Sequence, residues 1–321
     1  MLRIHKSDAK NASLVKFGAK TMKHLQTLRY IEGIVRAGSI RKAADDMNIT
    51  ASALNRRIQR FEEEFGSEIF ERLPRGVRLN PAGELLMQHF RTQVSDLRRV
   101  QGQVADLAGE RRGHVAIACS QALIPYFLPN QIATYRKDHP GVTFSVMVRD
   151  REAAERDLSL FDSDLALVFE PIHLVDFEVI SHCPQIIHAV MRRDNPLAAK
   201  QEVRLRDCLD LPHVLPSTNY GVRSLLEMGA KAGSRPLRPS VESDSFDFMR
   251  HYVRHENAVA FQIPIGLQLE GDDTVVSRPV STRDVPVGSL FLGQQRGRSL
   301  PVAPARFAQG LTRALENLAD A

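Results

Sequence analysis

The chain has 321 residues, of which 43% are hydrophobic and 25% charged, a composition typical of a globular protein long enough for two or three domains. No apolar run reaches the roughly 18–20 residues of a membrane helix, and the first residues lack the apolar core of a secretory signal, so we expect a cytoplasmic protein without a membrane partner. Cys119, Cys183 and Cys208 form no CxxC pair, which favours buried, unpaired thiols over a disulfide framework or a redox switch.

Charge is distributed unevenly along the chain. The net charge is +5, but residues 1–112 carry an excess of eight basic side chains and residues 113–321 an excess of three acidic ones. A basic first third favours a polyanionic partner for that part alone, although small basic surpluses are also common on ordinary surfaces. We predict a basic flexible leader over residues 1–21. The sequence does not decide whether this leader is native or whether Met22 is the natural start.

Three short helices are predicted within residues 22–80. Apolar residues recur at helical spacing, and Gly, Ser and Thr stand where helices end and begin. Ser39 and Thr50 are the predicted N-caps of the second and third helices, and Ala43-Ala44 leaves room for the close crossing of a helix-turn-helix. The predicted helices run from Leu25 to Gly38, over 40–47 and over 51–65, and the last buries Leu54, Ile58, Phe61 and Phe65.

The exposed side of the third predicted helix carries polar groups of the kinds that read DNA. They are Ser52, Asn55, Arg56 and Gln59, and we add the caps Ser39 and Thr50 to the DNA-binding set. Such side chains hydrogen-bond to base edges or phosphates in the major groove. A solvated face on an ordinary three-helix domain has a similar composition, so this helix alone does not decide between the two interpretations.

A β-hairpin is predicted after the third helix. Two short β-capable runs flank Pro74-Arg75-Gly76, a pattern typical of a wing. Arg72, Arg75 and Arg78 would face the flanking phosphates or the minor groove. The hairpin makes a winged helix-turn-helix the better interpretation of residues 22–80.

A single long helix is predicted over residues 81–110, beginning at Pro81. Its apolar residues are spaced by about 3.5 positions on average, which is the spacing of a coiled-coil seam. The stripe consists of Leu86, Phe90, Val94, Leu97, Val100, Val104 and Leu107. Burial against the chain's own domain would satisfy it, but the length of the helix favours dimerisation.

The stretch from Leu28 to Phe90 resembles the LysR-type transcriptional regulators. The matching residues are Ala37-Gly38-Ser39-Ile40 with Ala43-Ala44, Ile58 to Gly66, Ile69-Phe70-Glu71-Arg72, Val77-Arg78-Leu79-Asn80, and Pro81-Ala82-Gly83. The chain departs from the family pattern at Ser52, where proline is usual, and at Asn55, where serine is usual. Both positions face DNA in the family, and Asn can pair with the edge of adenine, so the resemblance implies the family's role with an unusual operator.

The resemblance extends more weakly over residues 113–310 and implies a two-lobed α/β domain like the periplasmic binding proteins. Alternating β-like and helical runs agree with it. The predicted fold class is therefore an N-terminal all-α winged helix-turn-helix with a long linker helix, followed by a C-terminal α/β effector-binding domain. We place that domain at 113–321, with lobe I over about 113–183 and 275–321 and lobe II over about 184–274.

The resemblance also implies how such a protein works. A small-molecule effector binds between the lobes and changes how the DNA heads are presented. Dimers recognise an interrupted inverted repeat in double-stranded DNA and commonly pair into tetramers, and RNA polymerase is a candidate partner.

Three serine-rich helix starts are predicted to line the cleft, because ligands bind beyond the carboxyl ends of strands, where helix N-termini favour anions. The predicted effector-binding residues are Ser120, Gln121, Ser217, Thr218, Asn219, Ser243 and Phe246, with Arg149 as the cation for a carboxylate. Each serine could instead serve only as a helix cap. An anionic metabolite is the candidate effector.

Catalysis, metal binding and a cofactor are not predicted. The chain lacks the GxSxG, GxxxxGK[ST], GxGxxG and HExxH patterns, and the pair His251 and His255 has no third ligand at motif spacing. An architectural DNA binder without an effector is the remaining alternative. The long α/β portion argues against it, because an architectural protein has little need of such a domain.

Overall fold

A computed structural model describes residues 26–74, 76–107, 112–268 and 272–319. They form two compact units, one up to Val94 and the other from Ser95 onward. The predicted leader over 1–21, together with Leu25 and Arg75, lies outside the described residues.

The first unit is a winged helix-turn-helix, as predicted. Its core consists of apolar side chains from three helices, the wing and the start of a fourth helix, among them Ile31, Ala43, Leu54 and Phe90. Its elements in chain order are α1 (residues 26–37), α2 (Ile40–Asp46), α3 (Ala51–Phe65), β1 (Phe70–Leu73), β2 (Gly76–Leu79) and the first part of α4 (Pro81–Leu107).

The helix boundaries follow local signals with two exceptions. Thr50 Oγ1 accepts a hydrogen bond from the Ala53 amide at 3.2 Å, which confirms the predicted N-cap of α3. Ser39 stands at the N-cap position of α2, but its hydroxyl makes no capping hydrogen bond, so this cap was predicted wrongly. Phe65 is also not buried as predicted: it is 46% exposed because it ends α3 beyond the core, where it stacks on Phe61 with ring centroids 5.7 Å apart.

The wing is fastened to the turn between α1 and α2. The Val77 amide donates to the Gly38 carbonyl at 3.1 Å. Gly76 has a φ of +128°, and a Cβ at this position would lie 2.3 Å from the same carbonyl oxygen. Only glycine therefore allows this approach of the hairpin to the helix-turn-helix.

The apolar stripe of helix α4 is buried at its beginning and exposed farther along. Phe90 is buried and Val94 partly buried in the core of the first unit. Farther along, Leu97, Val100 and Val104 are 59%, 45% and 60% exposed. Packing on the chain's own domain thus accounts for the first half of the stripe and leaves Leu97, Val100 and Val104 uncovered, whereas the side chain of Leu107 lies outside the described residues.

The second unit has two lobes, each built around a five-stranded sheet. The sheet of lobe I has the order β4-β3-β5-β12-β6, in which β3 is parallel to β4 and β5, and β12 is antiparallel to β5 and β6. The elements of lobe I are β3 (Arg112–Cys119), α5 (Phe127–Asp138), β4 (Gly141–Val148), α6 (Arg151–Ser159), β5 (Leu165–Phe169), β6 (Phe177–Gln185), β12 (Gly288–Gln295) and α10 (Val302–Ala319).

The sheet of lobe II has the order β11-β7-β10-β8-β9. Its elements are β7 (His188–Arg192), α7 (Leu205–Leu209), β8 (His213–Leu215), α8 (Gly221–Ala232), β9 (Val241–Glu242), α9 (Phe246–His255), β10 (Val259–Gln262) and β11 (Val275–Pro279). Short 3₁₀ turns lie at Gln121–Leu123, Pro196–Ala199 and Pro264–Gly266.

One predicted lobe boundary is wrong. Residues 275–321 were predicted to belong to lobe I, but β11 pairs antiparallel with the full length of β7 in the sheet of lobe II. The chain returns to lobe I only after this strand and enters β12 at Gly288.

Candidate functional site

The outer face of α3 presents polar side chains, most of which have no partner among the described residues. Ser52, Arg56 and Gln59 are exposed and Asn55 is partly exposed. Among the described residues, the side chains of Asn55, Arg56 and Gln59 make no hydrogen bond or ion pair, whereas Ser52 Oγ lies 3.3 Å from Thr50 Oγ1. These groups remain available for base edges or phosphates.

Two neighbouring arginines on α3 are already engaged. The guanidinium of Arg57 lies 5.2 Å from the centre of the Tyr30 ring, and Arg60 Nε donates to Glu64 Oε1 at 3.1 Å. Arg56 therefore differs from both, because its charge has no partner in the described part of the chain. The arrangement favours Arg56 as the cation with which α3 meets DNA.

The wing places its arginines unequally. Arg78 faces Glu71 across the hairpin and forms a hydrogen-bonded ion pair with it, which raises the pKa of Arg78. Arg72 is exposed and has no ion pair with a described residue. Arg72 is thus the freer of the two cations, and Arg78 would have to share its charge between Glu71 and a phosphate.

The two lobes of the second unit meet around a small, partly open space of about 10 Å³, roughly what one water molecule needs. Three of the residues predicted to bind an effector lie in its wall: Ser120, Arg149 and Phe246. The remaining lining residues are Ala122, Asp150, Arg151, Val168, Phe169, Tyr220, Gly221, Val222 and Ile263. A space between the lobes therefore exists where it was predicted, but Gln121, Ser217, Thr218, Asn219 and Ser243 do not line it.

Gln121 ties the lobes together at the edge of this space. Its Oε1 accepts a hydrogen bond from the Phe246 amide at the start of α9, at 2.6 Å. Its Nε2 donates to the Asp244 carbonyl and, at 3.4 Å, to the Tyr220 hydroxyl. A carboxamide of the protein thus occupies the N-terminus of α9, where a ligand was predicted.

Arg149 and Arg151 have different roles although only one residue separates them. Arg149 Nε donates to Asp157 Oδ2 at 2.7 Å, so its charge is paired within lobe I. Arg151 reaches lobe II, where it donates to the Asn219 carbonyl at 2.9 Å and to Ser224 Oγ at 3.0 Å.

All the hydrogen-bond acceptors of Arg151 are neutral oxygens. Besides its lobe II partners, it donates to the Glu170 carbonyl at 3.1 Å, and it forms no ion pair with a described carboxylate. Burial lowers the pKa of Arg151, against the opposing pull of Glu170, Glu155 and Asp150. The cleft therefore holds a half-buried cation without a paired anion.

The predicted serines fall into two groups. Ser243 Oγ accepts a hydrogen bond from the Ser245 amide at 3.1 Å, and Ser245 Oγ accepts one from the Phe248 amide and so caps α9. Both hydroxyls are therefore already bound to backbone amides at the start of this helix. The side chains of Ser120, Ser217 and Thr218 make no hydrogen bond to another described residue, and neither does the amide of Asn219. Helix capping explains the first group and leaves the second group available for a ligand.

A glycine permits the close approach of the lobes. Gly221 begins α8, and a Cβ there would lie 2.6 Å from the Phe169 carbonyl oxygen and 2.8 Å from Glu170 Cβ. Phe169 ends β5 of lobe I, and Glu170, which follows it, has a φ of +53°. Helix α8 thus meets the end of β5 backbone to backbone.

None of the cysteines or of the described histidines lines this space. All three cysteines are free and buried, as predicted, and burial raises the pKa values of Cys119 and Cys208 to about 12. His251 Nδ1 lies 3.2 Å from an Arg254 nitrogen, and no cluster of metal-ligating side chains occurs in the described ranges. Nor is any described helix both long and apolar enough to cross a lipid bilayer.

Comparison with known families decides the identity of both units. Residues 25–84 match the bacterial regulatory helix-turn-helix protein, lysR family, and residues 108–316 match the LysR substrate binding domain. The chain is a LysR-type transcriptional regulator. The resemblance found in the sequence, the fold class and the general function are thereby confirmed: a helix-turn-helix for DNA and a two-lobed domain for an effector.

Individual relatives of this LysR-type regulator are distant. The RuBisCO operon transcriptional regulator of Allochromatium vinosum is 25% identical over 289 residues, which cover 89% of this chain and 94% of that protein. A full-length OxyR variant from Pseudomonas aeruginosa superposes with a TM-score of 0.66 at 20% identity and covers 89% of this chain and 94% of its own. The effector binding domain of QuiR in complex with shikimate has a TM-score of 0.57 at 16% identity, over 64% of this chain and 98% of that one.

Nine residues that line the regulator's cleft were not predicted, among them Arg151 and Tyr220. Arg151 opens helix α6 directly after the carboxyl end of β4, which is the position that the sequence rule assigns to ligands, and it could have been found there. Tyr220 precedes α8 and contacts Gln121 and the Phe246 ring, but its only signal was its place next to the polar run Ser217–Asn219.

Proposed function

We propose that this LysR-type regulator binds DNA as a dimer held by the second half of α4. The supporting observation is the position of that half on the second unit. Ser95 and Gly102 face lobe I, since Ser95 Oγ accepts from Arg298 and a Cβ on Gly102 would touch Val302. At about 100° per residue, Leu97, Val100 and Val104 lie roughly 140–200° around the helix from Ser95. They form an apolar stripe that faces away from the chain's own domain.

The DNA-reading residues of this proposal are the unpartnered groups of α3 and the wing. Asn55, Arg56 and Gln59 contact base edges or phosphates in the major groove, with Ser52 beside them, and Arg72 meets the flanking backbone. Ser39, Thr50, Arg75 and Arg78 complete the proposed set of DNA-binding residues. Two such heads recognise an interrupted inverted repeat, because the half-site spacing follows from the two-fold symmetry of the dimer.

A footprint on the DNA upstream of the protein's own gene, at physiological salt, tests the DNA-reading proposal. We expect protection of a two-fold symmetric site with an unprotected or weakly protected centre. Salt-sensitive binding without a localised footprint would contradict it and favour an architectural role, because non-specific affinity is almost entirely electrostatic.

We further propose a small anion, such as a carboxylate, as the effector. Arg151 supplies a cation without a paired anion, and Ser120, Ser217, Thr218 and Asn219 supply unused hydrogen-bond donors. Phe246 lines the same space and its amide donates to Gln121, Ser243 holds the turn before α9, and Arg149 lines the wall with its charge already paired to Asp157. Binding would replace the contacts of Arg151 and Gln121 across the cleft, so the ligand has differential affinity for the two arrangements of the lobes.

Thermal unfolding with a panel of small carboxylates tests this assignment. A true effector at one hundred times its Kd stabilises the protein by about 2.7 kcal/mol. Ser120→Ala should diminish that stabilisation, whereas Ser159→Ala, which removes a hydroxyl bonded only to the Arg156 carbonyl on the surface of α6, should preserve it. Stabilisation that Ser120→Ala and Arg151→Ala both leave intact would move the effector to another site.

The remaining parts of the proposal concern assembly and context. We propose that dimers pair into tetramers through the effector domains. The supporting observation is that β4, a strand at the edge of its sheet, exposes Val146 and Val148. The regulator acts in the cytoplasm, where RNA polymerase is the candidate partner at a promoter, and it carries out no catalysis. Turnover of a stabilising carboxylate would contradict this last assignment.

A further inference from the structure

A buried arginine joins the linker helix to the effector domain. Arg298 follows β12 and is only 4% exposed. Its Nε donates to Ser95 Oγ of α4 at 2.9 Å, its Nη1 to the Ser163 carbonyl at 3.0 Å and its Nη2 to Asp164 Oδ1 at 2.6 Å. Among the hydrogen bonds between described residues, the one to Ser95 is the only side-chain bond that reaches from α4 to lobe I.

The loop between α6 and β5 holds this arginine from the other side. The guanidinium lies 4.7 Å from the centre of the Phe161 ring, and Phe161 has a φ of +59°, a strained conformation for a bulky residue. Asp164 accepts from the Ala116 amide of β3 at 2.9 Å through its second carboxylate oxygen. We call Ser95, Phe161, Ser163, Asp164 and Arg298 the Arg298 cluster.

The cluster shares two rigid elements with the cleft. Helix α6 starts at Arg151, which touches lobe II, and ends where the chain turns into Phe161. Strand β5 starts directly after Asp164 and ends at Phe169, which packs against Gly221 of lobe II. Each element therefore has one end at the contact between the lobes and the other end at the arginine that holds α4.

We propose that the Arg298 cluster transmits the separation or closure of the lobes to the linker helix, an inference that rests on the proposed control of DNA binding by the cleft. When the lobes part, Arg151 loses its acceptors on lobe II and α6 is free to shift along its axis. The loop that carries Phe161, Ser163 and Asp164 shifts with it. Because Arg298 is buried and bound to that loop on one side and to Ser95 on the other, its displacement is passed to α4.

The energetics of burial explain why this contact can carry a signal. A guanidinium removed from water has to keep its hydrogen bonds, since an unpaired buried charge is costly. When Asp164 and Ser163 move, Arg298 should therefore move with them and keep its hydrogen bonds to both. The Ser95 hydroxyl is a neutral partner on a different element, and its loss would release α4 while leaving the ion pair inside lobe I.

A double-mutant cycle tests the proposal without knowledge of the effector. Arg151→Ala removes the contact to lobe II, Ser95→Ala removes the acceptor on α4, and the double variant combines them. Thr92→Ala is the matched control for Ser95→Ala, because the Thr92 hydroxyl lies on the same helix and bonds only to the Gln88 carbonyl within it. Gly221→Ala serves as a second perturbation of the cleft, since its methyl group would wedge α8 away from Phe169.

The first readout is affinity for the footprinted operator. Allosteric coupling typically changes an affinity 5- to 150-fold, so we expect Arg151→Ala to change operator affinity at least about fivefold. In the Ser95→Ala background the same substitution should change it less than about twofold, and in the Thr92→Ala background it should keep its full effect. Equal effects of Arg151→Ala with and without Ser95 would overturn the proposal, as would the absence of any effect of both cleft substitutions.

The second readout needs no DNA and so separates this inference from the proposed function. Amide hydrogen exchange of residues 95–107 reports how firmly that half of α4 is held in the full chain. We expect Arg151→Ala and Gly221→Ala to change this exchange when Ser95 is present and not in the Ser95→Ala background. If the cluster couples the cleft to α4, this result is expected even in a protein that binds no operator. Unchanged exchange would refute the coupling even in a protein that binds its operator.

Discussion

Leu97→Ala should weaken one step of self-association, because Leu97 is the first residue of the uncovered stripe on α4. Fully burying a leucine is worth about 1.5–3 kcal/mol, and Leu97 is 59% exposed in the single chain. Truncation should therefore cost about 1–2 kcal/mol per chain if the partner helix covers it. A two-fold dimer contains the residue twice, so the two truncations together should cost about 2–4 kcal/mol, and the dissociation constant should rise about 30- to 800-fold.

Sedimentation equilibrium over a range of protein concentrations measures this constant. Leu85→Ala is the matched control, since it removes the same atoms from a more exposed position, 71%, that lies off the stripe. Thermal unfolding confirms that both variants are folded. If Leu97→Ala and Leu85→Ala associated like the unsubstituted protein, the second half of α4 would not be the dimer seam, and its exposed apolar face would need another explanation.

Three further predictions concern single side chains. Arg56→Ala should weaken specific operator binding by about 1–3 kcal/mol in a gel-shift titration, while Arg60→Ala, whose charge is already paired, should cost less; the reverse order would remove Arg56 from the readout. The hydrogen bond from the Thr274 hydroxyl, with others nearby, holds the pKa of Asp272 well below its usual range. Asp272→Asn should therefore lower the free energy of unfolding at pH 7, by an amount that shrinks as the pH falls below about 4. A difference independent of pH would contradict this. Because burial raises the pKa of the Cys119 thiol to about 12, it should react with Ellman's reagent at pH 8 only after unfolding, and rapid labelling of the folded protein would show that the site opens.

Local signals determined most of what the sequence predicted correctly. Helix α3 runs from Ala51 to Phe65 as predicted, because Thr50 caps one end and Gly66, with a φ of +83°, closes the other. Both residues act on their own neighbours, so no tertiary information was needed.

The misplaced strand shows where local signals stop. Nothing in Val275–Pro279 itself distinguishes a strand of lobe II from one of lobe I. Its place is set by pairing with β7, about eighty positions earlier in the chain. A domain in which the chain crosses twice between lobes hides the crossing point from any short window of sequence.

The cleft shows the same limit at the level of single side chains. Arg149 and Arg151 stand on either side of Asp150, which caps α6, and both follow a strand at its carboxyl end. The pattern could predict a cation there, but not which of the two would find a carboxylate in its own lobe. Asp157 settles that choice, and it does so only because α6 folds back beside the end of β4.

If the effector binds between the lobes as proposed, the small volume there has a kinetic consequence. A space of about 10 Å³ admits no metabolite, so a ligand can enter only during the fraction of time in which Gln121 and Arg151 have let go of lobe II. The observed association rate should then level off at high ligand concentration, at the rate of opening, rather than rise in proportion to it. The apparent affinity should fall short of the intrinsic one by the open fraction, so a substitution that loosens the lobes would make the protein more sensitive to its signal.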